Sequence, residues 1–159
     1  FNYKDESPWP DQPDGGGTSL VLINPFSNPD PALPSNWRPS TQGGGNPNDT
    51  DATTFSGDPN GDFNGNGIPD LIDYALGDSG YVTLTSNSLS FQRALGADDI
   101  NLIIESSVDL STWVDASSFL KNRELSYPEI GIKQVDYTLS PTTPSEKWFI
   151  RLRAKTILP

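Results

Sequence analysis

Between residues 58 and 73 the chain reads DPNGDFNGNGIPDLID, a run in which oxygen-bearing side chains recur at every second position. With Asp62 as position 1, Asn64 falls at 3, Asn66 at 5, Gly67 at 6, Ile68 at 7, Asp70 at 9 and Asp73 at 12. That is the spacing of a loop that folds around Ca²⁺. Alternate positions turn hard oxygens toward one centre, and Gly67 permits the sharp turn. Ile68 offers its backbone carbonyl while its side chain enters the core, and the last carboxylate comes from the helix that follows. An anionic loop repels itself, and a bound cation removes that cost. Mg²⁺ fits worse, because it demands a small octahedral cage. The competing reading is an Asx-rich turn that holds no metal. Asp58 and Asn60, with glycines at 61 and 65, outline an overlapping second loop, less secure because Phe63 and Pro69 stand where that register wants Gly and an acid.

Other chemistries are excluded or weak. The chain has no Cys, Met or His, so it can build no disulfide, no thiolate or imidazole metal site, and no Cys–His or Ser–His–Asp machinery. Asp98, Asp99 and Glu105 could serve as a glycosidase pair only if a cleft held two carboxyls about 5–9.5 Å apart. Nothing in the sequence builds that cleft, so they read as surface acids and the chain as a non-enzyme. Arg93, Arg151 and Arg153 could form a strip for a carboxylated polysaccharide, against the plainer reading of solvated outer-face charges. Asn48-Asp49-Thr50 fits the N-glycosylation pattern, and equally an ordinary turn.

The elements that must position the loop follow from charge and composition. The 159 residues carry a net charge of −11, and residues 1–80, with twelve acids and two bases, hold −10 of it. Gly and Pro divide the same way, 23 in the first 80 residues and 6 in the rest. An acidic chain is a poor nucleic-acid partner, and no run is long and apolar enough to be a membrane span. The start at Phe1 predicts a processed or partial chain, and the run FIRLRAK near Pro159 predicts a natural C-terminus.

We expect four units: a β-segment over 1–40, a Gly- and Asn-rich connector over 41–57, the loop with a short helix over 58–77, and a β-rich module over 78–159. In the first, the apolar run 20–23 within 18–23 predicts a strand covered on both faces, while 24–34 reads as loop. Pro69 suits a first helical turn, Leu71, Ile72, Ala75 and Leu76 form an apolar face, and Gly77 terminates a helix over about 68–76. Alternation predicts strands at 81–85, 88–93, 100–106, 131–139 and 148–155, with a short one reaching Val114. Six or seven short strands argue an antiparallel sandwich, of immunoglobulin or fibronectin type, or a partly open barrel, so the fold class is mainly β with one short helix.

Three resemblances add to this reading. FNYKDESPWPDQPDGGGTSLVLINP followed by NWRPSTQGGGNPN resembles the C-terminal part of a lamin-tail domain, an immunoglobulin-like sandwich that occurs in secreted multidomain bacterial proteins. The likeness covers about residues 1–48 and implies further strands before them. Such a remnant has too small a core to stand alone, so it must pack on 81–159, on upstream chain, or on another copy. The loop is similar to dockerin and thrombospondin type 3 calcium loops, where Asp at the last position is normal. Without a second similar loop, cohesin binding is not expected. Residues 58–159 resemble a C-terminal module of large secreted bacterial proteins, which implies no catalytic role. The expectation is therefore a calcium-stabilised extracellular or cell-surface structural module. It is expected to partner other chains or copies of itself, with strand-complemented fibres as its sharper form. The alternative is a binding appendage, for carbohydrate or cell surface, on a secreted hydrolase or nuclease.

Overall fold

Alternating apolar residues build the strands of the second half, and the computed structural model shows how they pair. It describes residues 2–4, 6–77, 82–140 and 147–157. The first two strands, β1 (Leu20–Leu22) and β2 (Trp37–Pro39), form a small antiparallel hairpin sheet. A helix, α1 (Asp70–Leu76), precedes seven further strands: β3 (Val82–Leu84), β4 (Ser88–Ala94), β5 (Ile100–Ser107), β6 (Val114–Asp115), β7 (Leu120–Glu129), β8 (Ile132–Leu139) and β9 (Phe149–Thr156). They make two antiparallel sheets, ordered β3-β4-β8-β7 and β6-β5-β9. The fold is thus mainly β with one short helix, and its two larger sheets share one core. Leu89 and Phe91 of β4 with Val135 and Leu139 of β8 are buried, and Leu102, Ile104, Ile150 and Leu152 of the opposing sheet pack against them. This is the inward half of each strand's alternation, the arrangement of a sandwich.

The helix closes one end of that core. Leu76, 1% exposed, joins the main cluster, while Leu71 and Ala75 join Ala97 and Ile100 in a second one. The expected apolar face of α1 is the buried one. The helix starts two residues later than expected, with Pro69 as the extended N-cap residue rather than in the first turn. Gly77 ends it with φ +73°, donating its N–H toward Asp73 and Tyr74 carbonyls. A side chain at Gly77 would be strained, and its Cβ would lie 2.8 Å from Ile132 Cδ1. The unit boundary expected near 77–80 and the start of the strand expected at 81 fall largely outside the described residues.

Two strands were not anticipated. β2 contains Pro39 and borders a Pro-rich loop, so it carries no alternation. β7 is ten residues long and nearly all exposed, with Pro128 inside it and register shifts in its pairing with β8. An edge strand with one solvated side, charges and bulges has no buried stripe to betray it. Within 24–34, which reads as loop, the chain makes a 3-10 turn at Pro25–Ser27. Each residue of β1 is only half-buried, so the hairpin is less covered than its apolar run implied.

The described residues before 58 meet the β-rich half at several points, and their buried ion-pair contact is with the turn Asp98-Asp99. Arg38, 2% exposed, donates from Nε and Nη2 to Asp98 and from Nη1 to Asp51, whose oxygens also accept from the Thr41 N–H and hydroxyl. Burial alone would lower the Arg38 pKa, but the bonds and charges of Asp98 and Asp51 raise it above its ordinary value. Asp99 accepts from the Phe55 N–H at 2.8 Å and the Tyr74 hydroxyl at 3.0 Å, and Thr53 N–H donates to the Gly96 carbonyl at 2.8 Å. The connector therefore makes specific, partly buried contacts with the module. Further out, Trp9 is buried between Tyr3 and Trp37, with ring centroids 5.4 and 6.4 Å away.

Candidate metal centre

The loop ahead of α1 curls on backbone N–H groups that donate to its own side chains. Asp62 accepts from Asn66 N–H and Gly67 N–H, both at 3.0 Å. Asn64 Oδ1 accepts from Asn66 N–H at 3.0 Å, and Asn66 Oδ1 from Ile68 N–H at 2.7 Å. Gly67, expected to make the sharp turn, has φ +83°, a conformation that strains other residues. This chain of short local bonds folds positions 1 to 7 into an arc. Position 12 reaches it from the helix: Asp73 Oδ2 accepts from Asn64 Nδ2 at 2.8 Å and from Asn66 Nδ2 at 2.9 Å. The buried face of α1 fixes that reach, because Leu71, Leu76 and Ala75 anchor the helix on which Asp73 sits.

Asp62, Asn64, Asn66 and Asp73 are thus linked in one hydrogen-bonded set. Asp70 takes a different direction. Its Oδ1 accepts from Phe63 N–H at 2.8 Å, and its Oδ2 lies 2.5 Å from where a Cβ on Gly61 would stand. Asp58 flanks the same glycine and accepts from Asn60 N–H at 2.9 Å. Asp58, Asn60 and Asp70 therefore gather around Gly61, beside the set centred on Asp73. Ile68 gives its N–H to Asn66, and its carbonyl is the group the spacing assigns to position 7.

One atom in this arrangement has no partner. Asp73 is 4% exposed, and its Oδ1 is buried with no hydrogen-bond donor. A buried carboxylate oxygen left unsatisfied costs on the order of 1–3 kcal/mol or more. Asp58, Asp62, Asp70 and Asp73 add four negative charges within 58–73, a stretch with no Lys or Arg. Among the described residues, no three His, Cys, Asp or Glu side chains converge on one point as a preformed cation cluster. The convergence that exists joins two carboxylates with two amides. Each amide offers a hard oxygen as well as a donor, and the oxygen-only donor set suits Ca²⁺ rather than a softer metal. The residues match the ion in type and spacing, and one buried oxygen, Asp73 Oδ1, is unsatisfied. The Asn64 and Asn66 side-chain oxygens accept backbone N–H groups and would have to turn inward to ligate.

The other acids have structural work. Asp98 and Asp99 are not surface acids, since both are spent on the contacts with Arg38, Phe55 and Tyr74. Glu105 is 8% exposed and accepts from Arg151 Nε at 2.8 Å and from Arg153 Nη2 at 3.0 Å. The Arg153 hydrogen bond, reinforced by Arg151, holds its carboxyl below the ordinary range. Arg151 also stacks 4.1 Å above the Trp113 ring. Arg93 is on the other large sheet, donating to the Ala97 and Ile100 carbonyls, so the three arginines form no strip. Lys133, opposite Arg93 in the β4–β8 register, has its ammonium pulled down to about 8 by burial and by the guanidiniums of Arg93 and Arg123. The Asp98-Asp99 anchor was missed in the sequence because an Asp-Asp pair in a turn looks like any solvated loop. The lone arginine of the first forty residues, Arg38, was its one available signal.

No helix among the described residues is long and apolar enough to cross a membrane. Compared with known proteins, the chain matches no family model, no curated protein and no solved structure.

Proposed function

We propose that this chain is a non-catalytic, calcium-stabilised structural module of an extracellular or cell-surface protein. The observation that carries the reading is the buried, partnerless Oδ1 of Asp73, on the carboxylate where Asn64 and Asn66 meet. A cation at Asp62, Asn64, Asn66, Ile68 and Asp73, with Asp70 at position 9, would supply the missing partner and offset the loop's charge. Position 9 often ligates through water, which agrees with the outward turn of Asp70. A second ion would draw on Asp58 and Asn60.

The effect of the ion is mechanical. Asp73 lies on α1, whose Tyr74 bonds Asp99, and Asp98 bonds Arg38. Fixing the loop fixes the helix that joins the N-terminal hairpin to the β-rich half. Millimolar external calcium fills even a loop of the weak extracellular class, at about 10⁻⁴–10⁻³ M, hence the assignment outside the cell. The single module is better supported than a fibre in which a neighbouring copy completes the N-terminal sheet, because the β1–β2 ladder offers only three residues per strand to pair with. Thermal melting with calcium and with EDTA tests the reading. Calcium should raise the midpoint reversibly, and identical curves would reject it.

A further inference from the structure

A large cavity among the described residues lies away from the candidate metal loop, on the N-terminal hairpin. It measures about 700 Å³ and is lined by β1, the 24–26 turn, the connector and Asp98. Specific small-ligand sites run to about 300–1,000 Å³. Val21 and Arg38, paired in register across β1 and β2, both border it. Behind them stands the buried Arg38–Asp51–Asp98 group, which makes that wall rigid.

At one side a ring is held out to solvent. Phe26 is 103% exposed, yet its turn is tightly constrained. Pro25–Ser27 is a 3-10 turn between Asn24 at φ +47° and Asn28 at φ +54°. Ser27 donates to the Asn24 carbonyl from both N–H, at 2.9 Å, and Oγ, at 2.7 Å. Residues other than glycine in the left-handed region cost free energy, and they concentrate where a side chain is being aimed. A third such residue, Asn48 at φ +66°, lines the cavity, and its side-chain amide has no partner among the described residues. Asp49, beside it, uses one oxygen on Thr50 N–H at 2.7 Å.

We infer that this cavity is a binding site for a neutral oligosaccharide. A pyranose presents an apolar C–H face, which an exposed aromatic ring covers. Its edge carries neighbouring hydroxyls, which a free amide meets as donor and acceptor together. The lining charges decide against an acidic sugar. Asp49, Asp51 and Asp98 outnumber Arg38, whose guanidinium is already committed to carboxylates and carbonyls. A uronate or sulfate would meet net negative charge with no free cation. An added peptide strand is also disfavoured, since the three-residue ladder of β1 and β2 gives too short an edge to pair with. This site is independent of the calcium reading and stands or falls separately from it.

The test uses the full chain in calcium-containing buffer, titrated with cello-, chito-, malto- and manno-oligosaccharides. Alginate and chondroitin sulfate fragments and an extended-peptide library run as competing probes. At least one neutral series should saturate. Phe26→Ala should weaken it about tenfold or more, as for loss of an aromatic contact, and Asn48→Ala should weaken it severalfold. Because Phe26 buries nothing in the fold, its substitution should leave the melting midpoint unchanged, which separates lost binding from misfolding. The inference is overturned if no neutral series saturates, if both variants bind as the parent does, or if only acidic sugars or peptides bind.

Discussion

Replacing Arg38 by Met should destabilise the protein far more than replacing any other arginine of the chain. The guanidinium side chain is 3% exposed and its two carboxylate partners, Asp51 and Asp98, are 7% and 9% exposed. Methionine fills much of the same space but leaves both carboxylates buried. Asp51 keeps the Thr41 N–H and hydroxyl, whereas Asp98 loses the donor of all its side-chain bonds. Removing one partner of a buried pair costs about 3–5 kcal/mol, and two stranded acids place Arg38→Met at the upper end. For a chain of this length, about 2–4 °C is lost per kcal/mol, so the midpoint should fall by roughly 8–20 °C. Arg151 supplies the control. Its side chain is 44% exposed, so Arg151→Met should cost no more than about 2 kcal/mol, ion pair and Trp113 contact together. Urea unfolding of both variants in saturating calcium measures the difference. Adding Asp98→Asn to Arg38→Met should recover a substantial part of the loss. If Arg38→Met costs less than about 1 kcal/mol, or no more than Arg151→Met, the Asp98-Asp99 turn is not the anchor described.

Four further outcomes follow from packing and charge. Leu76→Ala, at a 1% exposed position where helix and both sheets meet, should cost about 2–5 kcal/mol in urea unfolding. Lys133 titrates near 8 in the folded chain, below the ordinary lysine value. Between pH 8 and about 10.4 the unfolded chain therefore binds the extra proton, and stability should rise with pH in that window. Lys133→Met should abolish the rise, and a parent profile without it would refute the burial of that ammonium. Above pH 10 the trend reverses. Burial raises Tyr74 and Tyr127 to about 12, so the unfolded chain ionises first and stability falls, as pH-dependent melting would show. At the acid end, Glu105 is held below its ordinary value by Arg153 and Arg151. Its contribution should be complete above about pH 4.3 and be lost as pH falls through its folded value. Glu105→Gln should flatten the acid limb of the stability profile.

Where a residue pattern reports burial, the sequence was a sufficient guide. The helix face of Leu71, Ile72, Ala75 and Leu76, the alternation in β5 and β9, and the Gly77 stop each express one physical demand that the fold then meets. The edge strand β7 shows the limit. With one side paired and the other in water, its sequence need not alternate, and Pro128 lacks the N–H that a strand interior uses. The anchor of Arg38 on Asp51 and Asp98 lies beyond sequence reading for another reason. Those acids stand 13 and 60 positions from the arginine, and nothing local distinguishes a carboxylate that will be buried from one that will not. In the candidate metal loop the periodicity brought Asp62, Asn64, Asn66 and Asp73 into one set. The direction of Asp70 depends on its bond to Phe63 N–H, which spacing does not encode.

The central claim is that Asp73 and its neighbours hold a calcium ion. Calorimetric titration of Ca²⁺ into chelator-treated protein tests it most directly, with Asp73→Asn, which keeps shape and removes charge, as comparison. The parent should bind at least one ion with a Kd of roughly 10⁻⁴–10⁻³ M or tighter. Asp73→Asn should weaken binding at least about tenfold, and Mg²⁺ should compete poorly. No saturable heat in the parent, or equal binding by Asp73→Asn, would contradict the account.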